Sequence, residues 1–164
     1  MVDYGYISVQ FYKKDIKIFQ HLVKNVCNKN DFYYSDVIDY IQGDVSSGLH
    51  LTIFYGLINN QKNESEIKKK IKKTDIKSLN LGKVFFMPGY KSLYKSLCVE
   101  ILDDDKNFLN FSESFKSFNY DPFVQLAIFR PHLTLAYVKP NCDLKGILMC
   151  PSSIKIKVIK YFEK

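Results

Sequence analysis

The stretch His50-Leu51-Thr52-Ile53-Phe54-Tyr55 returns half a chain later as His132-Leu133-Thr134-Leu135-Ala136-Tyr137. Each begins by alternating polar and apolar residues, the period of a strand, so His50 and Thr52 fall on one face and Leu51 and Ile53 on the other; the same holds for His132 and Thr134. The chain has only three His and three Thr. By composition alone, two of each meeting at this spacing has a chance on the order of one in a thousand. Tyr55 and Tyr137 lie five residues after their histidines, and on a regular strand that spacing turns them to the opposite, core-facing side.

Outward from the first hexad, Tyr6 to Phe11 alternate, with Ile7, Val9 and Phe11 on one face and Tyr6, Ser8 and Gln10 on the other, a half-buried strand. Ile16, Phe19, Leu22, Val23 and Val26 then recur at helical spacing and predict an amphipathic helix over about Lys13 to Asn28. Residues 31–48 read as a loop with room for one helical turn. Glu64 to Lys77 reads as a lysine-rich surface helix with Asn63 as its cap. Leu81 to Met87 is a strand closed by Pro88-Gly89, and Lys91 to Leu102 is another. Asp103 to Asp105 precede a helical apolar pattern from Phe108 to Phe118, where acidic residues suit a helix start. An apolar approach, Phe123 to Phe129, leads into the strand at His132; a short helix near Cys142 to Met149 and a last strand, Ile154 to Phe162, follow. The element order strand, helix, strand, helix, strand thus occurs twice. A sheet covered by helices on one face in each repeat leaves the other two faces to meet across a cleft.

A histidine beside a threonine, twice, suits in-line displacement at a phosphodiester. One neutral imidazole takes a proton from the attacking water or ribose hydroxyl, and the other, protonated, gives one to the leaving oxygen. Histidine is the side chain that holds both states near neutral pH. Each threonine hydroxyl can donate to a non-bridging phosphate oxygen as charge builds there.

With these tetrads in a small duplicated α/β chain, the sequence resembles the 2H phosphoesterase superfamily, and it looks most like the viral and bacterial branches. The resemblance implies an α+β, duplicated two-lobed fold, with two mainly antiparallel sheets facing a central cleft and helices outside. It implies His50 and His132 as the acid/base pair and Thr52 and Thr134 as the phosphate-binding hydroxyls, with no cofactor. Members include cyclic phosphodiesterases acting on 2′,3′-cyclic phosphates, RNA-end processing enzymes, 2′,5′-oligoadenylate phosphodiesterases and phage anti-CBASS nucleases that destroy cyclic oligonucleotide alarm signals. The implied partner is therefore a small ribonucleotide or cyclic oligonucleotide, with RNA ends bearing 2′,3′-cyclic phosphate as the enzymatic alternative. Evasion of nucleotide-signalled immunity is the viral role such an activity would serve. A nucleotide-binding module or sponge using the same cleft is the non-catalytic alternative, and a purely structural domain the last.

Among further candidates, Tyr6 and Ser8 share the less apolar face of the first strand and are candidate cleft residues, with Tyr6 able to stack on a base. Arg130, two residues before His132, is a candidate phosphate ligand. Phe86 and Tyr90, near the turn between repeats, are candidate base platforms beside Phe85. The lysines from Lys68 to Lys73 read as a solvated helix face.

The chain of 164 residues is the size of one domain, 1–164, with pseudo-repeat lobes at about 1–90 and 91–164. A charge of +7 favours anionic partners. Arg130 is the only arginine, which argues against major-groove DNA readout, where arginine on guanine is the commonest contact. Cys27, Cys98, Cys142 and Cys150 form no Cys-x-x-Cys pair and read as buried or half-buried free thiols, and neither tetrad has a carboxylate spaced as a further metal ligand. No Gly-rich phosphate loop precedes a helix, which removes support for triphosphate hydrolysis. Without a signal-like start or a membrane-length apolar run, the expected location is cytoplasmic, in the host if the source is viral. Many Lys, Asn, Ile, Phe and Tyr are compatible with an AT-rich coding origin in a phage or low-GC bacterium.

Overall fold

A computed structural model describes residues 4–36, 43, 49–58, 61–123, 130–144 and 149–163, apart from the side chains at 50, 61, 62 and 90. Among them are six strands and three α-helices, in the order β1 (Tyr4–Phe11), α1 (Lys13–Val26), β2 (His50–Ile58), α2 (Gln61–Lys72), β3 (Ser78–Pro88), β4 (Lys95–Leu102), α3 (Asn107–Glu113), β5 (His132–Val138) and β6 (Ser153–Glu163). The strands pair antiparallel throughout, in the order β2-β1-β6-β3-β4-β5. The expected α+β architecture is present.

Strand order reads the same from both ends once β1 to β3 are exchanged with β4 to β6. Each three-strand half takes one strand from the other repeat: β6 joins β1 and β2, and β3 joins β4 and β5. The halves are linked by a short ladder, Ser78 with Lys155, Leu79 with Ile154 and Asn80 with Ser153. The exchange continues outside the sheet, since α1 packs on β5 and α3 packs on β2. Residues before each hexad also run along the other's free edge. Leu57 bridges Tyr120 and Asp121 N donates to Gly56 O at 2.9 Å, while Phe32 bridges Val138 and Tyr33 N donates to Tyr137 O at 2.9 Å. Edge groups at the C-terminal ends of β2 and β5 are satisfied this way. Although β2 and β5 stand at opposite ends of the strand order, they come into contact with each other.

The interior is one apolar cluster to which Ile7, Val9, Leu51, Ile53, Leu133 and Leu135 contribute from the strands and Phe19, Phe108 and Phe115 from the helices. Each such side chain taken out of water contributes roughly 2 kcal/mol before the entropy of ordering is set against it. Helix α1 buries Phe19, Val23 and Val26 at the expected spacing and ends at Val26. Asp103, before the N-cap Lys106, satisfies the start of α3 from a distance, its carboxylate accepting from Phe108 N at 2.9 Å and Leu109 N at 2.8 Å. Helix α2 begins at Gln61, which places Asn63 inside the first turn instead of at the cap, and ends at Lys72 where the expected helix ran on to Lys77. The expected start of β4 at Lys91 is replaced by a turn in which Lys91 and Ser92 have positive φ. The apolar approach and the short helix expected near Cys142 fall largely on residues 124–129 and 145–148, outside the described residues. Cys27, Cys98 and Cys142 are buried and Cys150 half-buried, all as free thiols. No helix among the described residues is long and apolar enough to cross a membrane.

Candidate active site

Parity along β2 and β5 is as expected at the start of each hexad. Leu51, Ile53, Leu133 and Leu135 are buried, whereas Thr52 is exposed and Thr134 half-buried, so both threonines turn away from the core. Backbone at His50 opens β2 opposite Gln10; its side chain lies outside the described part of the structure. His132 is half-buried and opens β5 opposite Glu100. Its Nδ1 lies 2.7 Å from the Arg130 carbonyl oxygen. A carbonyl only accepts, so this contact keeps a proton on Nδ1 and leaves Nε2 as the nitrogen able to exchange one. The edge of the His132 ring also meets the Phe85 ring, with centroids 6.5 Å apart.

Alternation then breaks at one place in both hexads. On β2 the partners run Thr52 with Ser8, then Phe54 with Ile7, so Ile53 is an extra residue; on β5 they run Thr134 with Cys98, then Ala136 with Leu97, so Leu135 is extra. These are β-bulges. Both leave two consecutive residues in the core, Ile53 with Phe54 and Leu135 with Ala136. On β2 the Ile53 carbonyl accepts from the buried Ser112 Oγ of α3 at 2.8 Å. Parity is thereby reset, and Tyr55 and Tyr137 stand on the threonine face. Their expected place in the core is therefore wrong. Tyr55 lies opposite Tyr6, and Tyr137 opposite Ser96.

Ser8, a candidate cleft residue, is on the right face but buried, with its hydroxyl donating to the Val9 carbonyl at 3.4 Å. Tyr6 is half-buried and stacked on Phe162 with centroids 5.0 Å apart, and burial raises its hydroxyl pKa. Arg130 is exposed, and its described tie to the site is the carbonyl on His132. Phe86 is not a platform on the threonine face. It lies opposite the buried Leu97 and packs on the core with Lys95 Nζ 4.9 Å from its ring centre. Phe85, its neighbour, lies opposite Cys98 and takes the site face. Tyr90's side chain lies outside the described part.

Sequence reasoning missed Glu100 and Cys98, which only cross-strand register brings beside His132 and Thr134. Cys98 Sγ is 4.0 Å from Thr134 Oγ1 and 3.6 Å from the Ser96 carbonyl. Burial pushes the Cys98 thiol up to about 12, against a smaller opposite effect of the Thr134 hydroxyl. Among the described residues, no group of three His, Cys, Asp or Glu is placed to hold a metal ion.

This architecture defines a fold class already seen in other solved structures. Escherichia coli LigT in complex with phosphate superposes with a TM-score of 0.64 at 10% identity, covering 99% of this chain and 87% of that one, and LigT has also been solved with 3′-AMP. A crystal structure described only as a phosphoesterase gives a TM-score of 0.66 at 10% identity, covering 98% and 88%. Kluyveromyces marxianus Usb1 gives 0.54 at 11% identity, covering 83% and 71%, and has been solved with uridine monophosphate as well. At such identities the likeness is one of fold. No family model and no curated protein matches the chain.

Proposed function

We propose that this chain is a metal-independent phosphodiesterase acting on small ribonucleotide substrates through His50 and His132, with cyclic oligonucleotide signals and 2′,5′-linked oligonucleotides as the first candidates. One observation carries the reading: the two motif strands, far apart in sequence and at opposite ends of the strand order, come together with matched bulges and with both threonines turned from the core. Unrelated strand histidines would have no reason to share parity, bulge and location. Phosphate, 3′-AMP and uridine monophosphate held by proteins of the same fold add support for a nucleotide substrate.

In this reading one imidazole removes a proton from a ribose hydroxyl or a water, the oxygen so freed forms a bond to phosphorus, and the bond to the leaving oxygen breaks as the other imidazole gives it a proton. Attack by a ribose 2′-hydroxyl passes through a 2′,3′-cyclic phosphate; attack by water does not. Thr52 and Thr134 donate to the non-bridging oxygens, where charge accumulates. The Arg130 carbonyl, 2.7 Å from His132 Nδ1, supports this role by leaving Nε2 as the nitrogen that exchanges the proton.

Incubation with cyclic dinucleotides, 2′,5′-oligoadenylate and RNA ending in a cyclic phosphate, in EDTA, tests the proposal. Turnover is expected to persist in EDTA and to disappear in His50→Ala and His132→Ala. A requirement for added metal, or full turnover in both variants, would overturn it.

A further inference from the structure

We infer that Tyr55 and Tyr137 are base-stacking residues placed on either side of the scissile phosphate, and that the preferred substrate carries a base on both sides of that phosphate. The inference rests on the proposed reading of the site and narrows its substrate to a dinucleoside phosphate unit, as against a mononucleoside 2′,3′-cyclic phosphate.

The argument starts from the two bulges. Had β2 and β5 been regular, the fifth residue after each histidine would sit in the core. Extra residues at Ile53 and Leu135 instead bring both tyrosines to the face of Thr52 and Thr134. Two residues of rise, not counting the bulged one, set each ring about 7 Å along the strand from its threonine. That is the sense of displacement between a phosphate and the base of an adjoining nucleoside. Both tyrosines are half-buried.

Each ring is also supported by other aromatics. Tyr55 meets Tyr6 at 6.2 Å with planes tilted by 38°, and Tyr6 is stacked on Phe162 at 5.0 Å. Tyr137 meets the edge of Tyr94 at 5.6 Å, and Tyr94 is stacked on Tyr33 at 5.4 Å. Two trios make two walls, each anchored on the same position of a hexad, although their other members come from different places: Tyr6 and Phe162 from β1 and β6, Tyr94 and Tyr33 from the segments before β4 and after α1. A tyrosine held by its neighbours loses little rotamer freedom when a base stacks on it, and stacking is tolerant of base identity. Two walls about one phosphate seat match a ligand with two bases.

The test combines turnover and binding. Wild-type protein is expected to show a higher kcat/KM for a cyclic dinucleotide than for a 2′,3′-cyclic mononucleotide. Tyr55→Ala and Tyr137→Ala are each expected to raise KM for the dinucleotide about 5- to 100-fold with kcat largely kept, and Tyr→Phe at either place to stay near wild type. Calorimetry with a 2′-deoxydinucleoside phosphate, which lacks the ribose nucleophile, should show the same loss of affinity in the Ala variants and its retention in the Phe variants. Unchanged Kd and KM in both Ala variants, or preference for the mononucleotide, would overturn the inference while leaving the histidine chemistry standing. Tyrosine-dependent binding without turnover of any substrate would do the reverse.

Discussion

Set side by side, the face built on β1, β2 and β6 and the face built on β4, β5 and β3 have one layout and different contents. Register places Gln10 opposite His50 but Glu100 opposite His132, and Ser8 opposite Thr52 but Cys98 opposite Thr134. One strand further in, Lys160 pairs with Ser8 and Phe85 with Cys98. Parity, bulge and a small residue beside threonine recur, and in the proposed reading these are the parts that would seat a phosphate. Charge does not recur: one face carries a cation and a neutral amide, the other a carboxylate and a ring. An acid/base pair needs unlike environments, and a seat for a tetrahedral group does not.

That difference can be broken first at the histidines. With a carboxylate residue paired opposite His132 and an amide opposite His50, the assignment to test is His132 as the proton donor and His50 as the acceptor. A nucleoside 3′-(p-nitrophenyl phosphate) has a leaving group that departs without a proton. On this substrate His50→Ala should still lose about 10²- to 10⁴-fold in rate, whereas His132→Ala should stay within about tenfold of wild type. On an alkoxide-leaving dinucleotide both should lose alike. The opposite pattern on the nitrophenyl ester would exchange the roles. Glu100→Gln, which matches the residue opposite His132 in amide character to Gln10 opposite His50, should cost about tenfold on the dinucleotide only.

Threonines come next in size. A hydroxyl donor is worth more where water is excluded, and Thr134 is half-buried while Thr52 is exposed. Thr134→Val should lower kcat about 100-fold and Thr52→Val about tenfold, measured at saturating dinucleotide. Equal losses would show that burial does not distinguish the two seats.

Much of this layout was legible in the sequence, for identifiable reasons. Period two along His50 to Ile53 and His132 to Leu135 depends on backbone geometry alone, so the threonine faces could be read directly. The 3.6 period of α1 and the acidic run before α3 were likewise local. Bulges were not legible, because Ile53 and Leu135 are ordinary strand residues and nothing in their chemistry marks an unpaired position. A sign existed in the consecutive apolar residues Ile53-Phe54 and Leu135-Ala136, each followed by tyrosine, but one hexad alone does not separate it from a buried strand. Which of Phe85 and Phe86 faces the threonines was not legible for a related reason, since β3 shifts register against β4 between Leu81 and Val84. Glu100, Cys98 and Lys160 reach the site through pairing with strands distant in sequence, and single-sequence periodicity carries no record of that.

The smallest expected effect concerns the residues beside the threonines. Ser8 spends its hydroxyl on the Val9 carbonyl, so Ser8→Ala should leave kcat within about twofold. Cys98 stands differently, with its sulfur between the Ser96 carbonyl and the Thr134 hydroxyl. Cys98→Ala should lower kcat a few-fold through a less ordered Thr134, and Cys98→Ser, with a stronger donor and acceptor, should recover it. A pH experiment separates this role from mere packing. The thiol is raised from 9.0 to about 12 by burial, so it remains neutral across the working range, and its effect on kcat should not vary with pH below 9.0. In stability the sign is fixed: a raised thiol contributes fully below 9.0 and loses that contribution as pH rises toward about 12. Chemical denaturation of wild type should weaken over that window more than that of Cys98→Ala, and parallel curves would mean that the sulfur is less sheltered than its place between β3 and β5 requires.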